Sequence, residues 1–591
     1  MATDNEDIRL PASRTSRTLL ATTFIVLLLS IAAGLTVALV PYESLKAQAD
    51  AVSDDEVEFF TPAFHADLQV KLAYGLAILS LLTGALIIFR RRFALGLDRF
   101  GEDLRIYVRS LGQATRAAWT ELSLWQQLAL IGLTLAGVVL RMLYFNDGLE
   151  YDESYSYLFF ASRPLYVILS YYQAPNNHIL YNVFMHGTIQ LFGASDWAVR
   201  LPALIFGVAT IPLTYLLGRR VFNIQTGLFA ATLVTASHWM IRYSTQGRGY
   251  SLQLMLVLLM ALLAFTLIHS RNRAAWLMFA LLAALSVHTI PTGVYPVAFL
   301  WVWLMFTNGH PLKVRFKYLA IYGWVSVALT LLLYLPVFVV SGPESVYANQ
   351  YVVAITSAEW RTQMPDWITG FHDYLVGTLP IWLQLVLAAS ILVSLILHPW
   401  KKKPWPFIVP LTVVTLALVV IQQVHPFTRV WTWVVPFLAI AAASGFSLLL
   451  TKLIPSPRLL RLGGVLVGIL LLLNMTVAEI GNYARTLNHR QTYETGMIAA
   501  AKWFNANLEP DDFVRWNMSF PVIGFYLDRF GDGRQVLYSR DETDSGRVFF
   551  IHDRNRELPV ELAEADLDSS SLESLQPVFA KGNMTIHELL R

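Results

Sequence analysis

Apolar runs of about 20 residues, separated by short charged loops, recur along most of the chain. Each is long enough to cross a hydrocarbon core about 30 Å thick, and together they predict about 13 membrane-spanning helices. The tail with Arg9, Arg14 and Arg17 puts the N-terminus in the cytoplasm by the positive-inside rule. Residues 18–40 form the first span. An acidic loop (Asp50, Asp54, Asp55, Glu56, Glu58) follows outside. Residues 69–89 return to Arg90-Arg91-Arg92 and a basic stretch reaching Arg116. A third span, 125–145, delivers Glu150, Asp152 and Glu153 to the outer face.

Spans at 198–217, 226–242 and 250–269 come next. One then exits near His288, one re-enters to Lys313, and 318–340 leads to an outer loop over 341–378. The last four reach Lys401-Lys402-Lys403 inside, exit near His425, return to Lys452, and end near Ile480. An odd count puts the C-terminus outside. The turn Arg242–Arg248 is the basic outer loop that breaks the charge rule.

Two stretches do not read as spans. Within 146–197, Ser162, Pro164 and Pro175-Asn176-Asn177 punctuate the chain. His178, Asn182, His186 and Gln190 then recur every fourth residue, with Ile179, Val183, Phe184 and Leu191 on the other side. That spacing predicts an amphipathic helix about 24 Å long, too short to span and suited to lying in the interface. The segment is expected to be an outer loop of two or three surface helices. Beyond residue 480 charge rises and no span-length run remains. Strands are expected at Val514–Trp516, Gln535–Tyr538 and Arg547–Ile551, and helices at Ala499–Asn507 and Val522–Arg529.

The expected fold class is therefore an all-α polytopic membrane protein with a small C-terminal α/β extracytoplasmic domain. Residues 1–124 form an extra N-terminal hairpin and basic cytoplasmic segment, 125–480 the transmembrane core, and 481–591 the soluble domain.

Composition agrees with a multi-pass membrane protein. Only 14% of the 591 residues are charged, against about 25% in soluble chains, and 55% are hydrophobic. The net charge of +3 decides little, because loop-by-loop asymmetry is what orients such proteins. Thr18–Val40 is span-length with no A-x-A site after it, so it reads as a span and not a cleaved leader. The chain has no cysteine, which excludes disulfides and thiolate metal sites. Sequons stand at Asn474, Asn517 and Asn583, a pattern short enough to arise by chance. No nucleotide-binding glycine loop is seen, and no nucleic-acid partner is expected.

The residues that bear chemistry gather at one surface. Asp152 either N-caps a helix, with Glu153 favouring its first turn, or does chemistry. Neighbours on a helix point about 100° apart, so at most one of the two faces a given cavity. In the basic turn, Arg242 and Arg248 flank Gly247 and precede Gly249. They either snorkel to lipid phosphates or bind a phosphate group that approaches the backbone. His288 and Arg429 lie at further outer span ends. His178 and His186 are eight residues apart on a helix, about 12 Å along its axis, and cannot share one zinc. A divalent ion held by Asp152 with Glu150 or Glu153 is the alternative, which the spacing does not support, so no metal and no cofactor is expected.

The chain resembles the GT-C glycosyltransferases of the family 39-like branch, which holds protein O-mannosyltransferases and lipid A aminoarabinose transferases. The resemblance covers roughly 125–455. It rests on Asp152-Glu153 after a span, Pro175-Asn176-Asn177-His178, Phe192–Pro202, Leu217-Gly218-Arg219-Arg220, Tyr243–Tyr250, and Arg429 ahead of Pro436. It implies a GT-C fold and an inverting transfer from a polyprenyl-phosphate sugar to an acceptor hydroxyl on a protein, lipid or polysaccharide, at the outer face of the plasma membrane.

In that reading Asp152, ahead of Glu153, is the general base. Arg429, Arg248, Arg242 and His288 hold the donor phosphate, and Asn177, His178, Tyr181 and Tyr250 line the acceptor or sugar pocket. Departures from both relatives around Asn176-Asn177-His178 leave the acceptor open. The competing class is a transporter or flippase of a lipid-linked sugar, which would place its ionisable residues nearer mid-membrane.

Overall fold

The structure is a computed structural model. It describes the chain except residues 1–13, 51–59, 308, 349–353, 399–406, 510, 518, 532–545, 568–571, 573 and 591. Arg9, the acids at 54–56 and 58, Lys401–Lys403 and the strand expected at Gln535–Tyr538 lie outside the described residues.

The helices in chain order are α1 (Arg14–Leu39), α2 (Tyr42–Asp50), α3 (Pro62–Ile88), α4 (Arg90–Thr120), α5 (Leu124–Phe145) and α6 (Tyr151–Ser156). A π-helical turn, Tyr157–Ala161, continues α6. Then come α7 (Leu165–Ser170), α8 (Ile179–Phe192), α9 (Asp196–Val221), α10 (Ile224–Thr235), α11 (His238–Tyr243), α12 (Tyr250–Leu267), α13 (Arg273–Thr289) and α14 (Val294–Phe306). The second half holds α15 (Leu312–Val340), α16 (Glu344–Tyr347), α17 (Ser357–Val376), α18 (Ile381–Leu397), α19 (Ile408–Gln422), α20 (Val435–Leu453) and α21 (Pro457–Asn507). The tail adds α22 (Phe520–Phe530) and α23 (Leu558–Glu564).

Every apolar run expected to span is helical. Among the described residues eight helices are long and apolar enough to cross a membrane, or nine if the pair α17–α18, bent by 96°, counts as one. The remaining runs are shorter apolar helices, namely α10, α13, Pro291–Phe306 and α19. The run read as one span over 226–242 is broken. α10 stops at Thr235 and α11 starts at His238, so α10 is about 18 Å long, well short of a 30 Å core.

The chain divides into two compact units, Met1–Ala117 with Arg271–Met278, and Ala118–Ser270 with Phe279–Arg591. In the first, α1 packs on α3. His65 and Gln69 both bond the Val37 carbonyl (3.0 and 3.1 Å), and Leu76 covers Gly34.

In the second unit α9 is central and packs on α5, α8, α10 and α12. With lipid outside, close backbone approach is what holds apolar helices together. At the α18–α20 crossing a Cβ on Gly445 would lie 1.7 Å from the Ser390 carbonyl oxygen, so only glycine fits, and Ser394 bonds Ser444 at 2.5 Å.

Two expectations about the tail change. α21 runs unbroken through residue 481 and absorbs the helix expected at Ala499–Asn507. Its 51 residues span about 76 Å. The tail sheet has four described strands, β1 (Phe513–Arg515), β2 (Val548–Asp553), β3 (Leu575–Lys581) and β4 (Met584–Leu589), in the order β1-β2-β4-β3. β1 pairs parallel to β2, and the other pairings are antiparallel. The tail core is continuous with that of the 146–197 loop. Leu149, Tyr157 and Leu158 share one buried cluster with Phe504, Phe525, Tyr526 and Phe549.

Candidate active site

The acidic stretch is held by a clasp between α6 and the basic turn that joins α11 to α12. Glu150, not Asp152, is the N-cap of α6. Glu153 completes a capping box by accepting the Glu150 N–H at 2.9 Å. The three carboxylates then diverge, as the 100° step of a helix requires.

Glu150 pairs with Arg242 and accepts from Gln246 Nε2 at 2.7 Å. Glu153, 1% exposed, pairs with Arg200 and accepts the Gly247 N–H at 2.7 Å. A Cβ on Gly247 would lie 2.6 Å from Val199, so a side chain there would push the turn away from Glu153. Of the three, Asp152 is the one that lines a cavity, while Glu150 stays part-exposed against Arg242. The cavity measures about 770 Å³, within the range of small-molecule sites.

Around that cavity stand Tyr151 and Tyr155 from α6, Tyr172–Asn176, the Ser341–Ala348 stretch with Glu344, and Phe427 and Arg429. Asp152 Oδ2 lies 3.3 Å from Arg429 and Oδ1 lies 3.5 Å from Arg248. Asn176 Nδ2 donates to Oδ1 at 3.3 Å. Arg429 also lies over the Phe427 ring, 4.4 Å from its centroid. The carboxylate that faces the cavity is therefore flanked by two guanidinium groups.

The other expected site residues are distributed unevenly. Of the four expected to hold phosphate, Arg429 lines the cavity, while Arg248 is 3% exposed and lies behind Asp152. Arg242 is taken up by Glu150. His288 is buried against Tyr334, and neither of its ring nitrogens has a hydrogen-bond partner among the described residues.

None of the four expected in the acceptor or sugar pocket lines the cavity. Asn177 is fully buried, donates to the carbonyls of Ile168 and Tyr171 (3.0 and 2.8 Å), and accepts from Asn182. Tyr181 donates to the Val199 carbonyl at 2.9 Å. Tyr250 packs edge-on to His178, 5.2 Å between ring centroids.

His178 accepts the Gly249 N–H at 2.9 Å and has Arg248 3.2 Å from its other nitrogen. Burial first, then Arg248 and Arg429, hold its pKa well below the usual histidine value, so the imidazole is neutral.

Three features were not read from sequence. Asn176, one residue before the expected pair, is the asparagine at the cavity. Arg200 carried no assigned role, although an arginine one turn inside an apolar run is itself a signal. The stripe of α8 faces inward over His178, Asn182 and His186, while Gln190 at its end is exposed. His178 and Asn182 are buried and His186 bonds the Ala161 carbonyl at 2.8 Å, whereas Phe184 and Leu191 are exposed. Against lipid, polar groups are satisfied only by turning toward protein, so the expected interfacial polarity is reversed. Among the described residues no three acidic or histidine side chains converge as metal ligands.

The chain resembles known proteins in part of its sequence and in its fold. Residues 175–338 match the model of the dolichyl-phosphate-mannose-protein mannosyltransferase family. The structure is similar to ArnT from Cupriavidus metallidurans in the apo state. The TM-score is 0.50 at 14% identity, covering 78% of this chain and 97% of that one. It is likewise similar to the same protein bound to undecaprenyl phosphate, with TM-score 0.51, 15% identity, and 80% and 98% covered. No curated protein sequence matches the chain.

The fold is the GT-C fold of multi-pass membrane glycosyltransferases. Residues 175–338, which carry Asn176, Arg200 and Arg248, are the part of the chain that resembles the protein mannosyltransferases.

Proposed function

We propose that the chain is an integral-membrane glycosyltransferase that moves a sugar from a polyprenyl-phosphate donor to an acceptor hydroxyl at the outer face of the membrane. The observation that carries this reading is Asp152, the carboxylate of the clasp that faces a sugar-sized cavity, with Arg429 and Arg248 at 3.3 and 3.5 Å. The likeness to a protein bound to undecaprenyl phosphate supports a lipid-phosphate donor.

In this mechanism Asp152 takes the acceptor O–H proton as the oxygen attacks the anomeric carbon. The bond from that carbon to the phosphate oxygen breaks, and the lipid phosphate leaves with its charge held by Arg429 and Arg248. A single base and a single displacement invert the anomeric centre. Asn176 fixes the Asp152 carboxylate, and Tyr151 and Tyr155 offer aromatic faces to the sugar.

Asp152→Asn is expected to lower transfer from a synthetic polyprenyl-phosphate sugar about 10²–10⁴-fold while the protein stays folded. Retained transfer in that variant overturns the assignment of the base. Movement of labelled lipid across proteoliposomes without a new glycosidic bond would favour a flippase instead.

A further inference from the structure

α4 is too polar to be a span and too apolar on one side to stand in water. Phe93, Leu97, Leu104, Val108 and Leu111 follow one another at steps of 4, 7, 4 and 3, which sets them along one face. All five are exposed, by 39–57%. Asp98, Glu102, Arg105, Arg109 and Arg116 fall on the opposite side and are also exposed, with Leu95 and Ile106 as the exceptions there. Seven arginines against three acids leave the helix four positive charges in excess.

Its attachments fix how it runs. At its start a single residue, Phe89, separates it from the membrane helix α3. In its middle, Asp103 accepts from Asn272 Nδ2 (2.8 Å) and from the Arg273 N–H (3.1 Å), at the first turn of apolar α13. At its end three residues lead into α5, another span. A rod about 46 Å long that meets apolar helix ends at its start, middle and end runs along a membrane surface and does not project from it.

We propose that α4 is an in-plane membrane helix that seats its apolar stripe below the headgroups and binds anionic phospholipid headgroups with its arginines. The bilayer is the partner that fits both faces at once.

The absence of cysteine gives a direct test. Single cysteines at Leu97, Leu104, Val108 and Leu111, and at Glu102, Arg109 and Arg116, are spin-labelled in the full chain. The protein is then reconstituted in phosphatidylcholine vesicles with and without phosphatidylglycerol. The stripe sites should be several-fold more accessible to oxygen than to a water-soluble nickel chelate, and the polar sites the reverse.

Nickel access at every site, or shielding from both reagents on the stripe, overturns the in-plane placement. The second of these outcomes would indicate a protein partner. Native mass spectrometry should find phosphatidylglycerol enriched on the wild type, with the enrichment lost several-fold in Arg105→Gln/Arg109→Gln/Arg116→Gln. Equal enrichment in the two overturns the anionic preference.

Discussion

Arg200 and Glu153 form a buried ion pair whose two halves should not be equally expendable. Arg200 gives Nε to Glu153 at 3.0 Å and also bonds the carbonyls of Tyr144, Phe145, Asp147 and Gly148 at the exit of α5. Glu153→Gln keeps those carbonyls paired and retains an oxygen for the Gly247 N–H. It is expected to cost about 1–3 kcal/mol, in the range of a lost charged hydrogen bond.

Arg200→Met leaves a carboxylate with 1% exposure without its cation and takes a donor from the carbonyls of Phe145, Asp147 and Gly148 as well as from Tyr144, whose oxygen keeps the Asp147 N–H. The expected loss is about 3–5 kcal/mol, a factor of about 10²–10⁴ in the folded ratio. The double variant removes both charges, so it should recover part of that, with a coupling energy of about 1–3 kcal/mol. Reversible unfolding in mixed detergent micelles, read by near-ultraviolet circular dichroism, measures all four corners of this cycle. If Arg200→Met proves no more damaging than Glu153→Gln, or the two effects simply add, the pair is not the clasp that holds α6.

Arg429→Ala removes the cavity-facing guanidinium while leaving the buried clasp intact. Donor affinity measured by calorimetry should fall about 10-fold or more, as for a lost charge-assisted bond, with little change in melting temperature. His178 should make stability depend on pH. Its folded pKa lies below the unfolded value of about 6.5, so below that pH the unfolded chain binds a proton that the folded chain refuses. Stability then falls by about 1.4 kcal/mol per pH unit until the folded group titrates. His178→Gln should flatten the unfolding slope between pH 6.5 and 5, and an unchanged slope would remove this histidine from the account.

Much of the architecture was legible because lipid imposes a simple rule on length and polarity. The apolar runs became helices at nearly the expected positions, and the acidic and basic clusters met. What failed was facing. Periodicity reveals that α8 has a polar stripe but not whether that stripe meets water, lipid or protein, and His178 and Asn182 turned inward. Neighbouring residues separate sharply for the same reason. Asn176 lines the cavity while Asn177 braces the backbone, and Asp152 faces the cavity while Glu153 is sealed beside Arg200. β3 and β4 were missed because Pro577 and a mixture of charged and polar residues hide their alternation.

The placement of Asp152 between two cations has a kinetic consequence. In the proposed mechanism the carboxylate is counter-ion to both Arg429 and Arg248, one negative charge against two positive, so an incoming lipid phosphate meets a site already half neutralised and competes with Asp152 for the arginines. In that mechanism the exchange imposes an order of addition. The donor arrives first and draws the arginines toward itself, and Asp152 is released to an acceptor hydroxyl only afterwards. Steady-state patterns should then be those of compulsory-order kinetics, with the acceptor unable to protect the empty protein. In the proposed mechanism the same pairing keeps Asp152 occupied whenever no sugar is present to transfer.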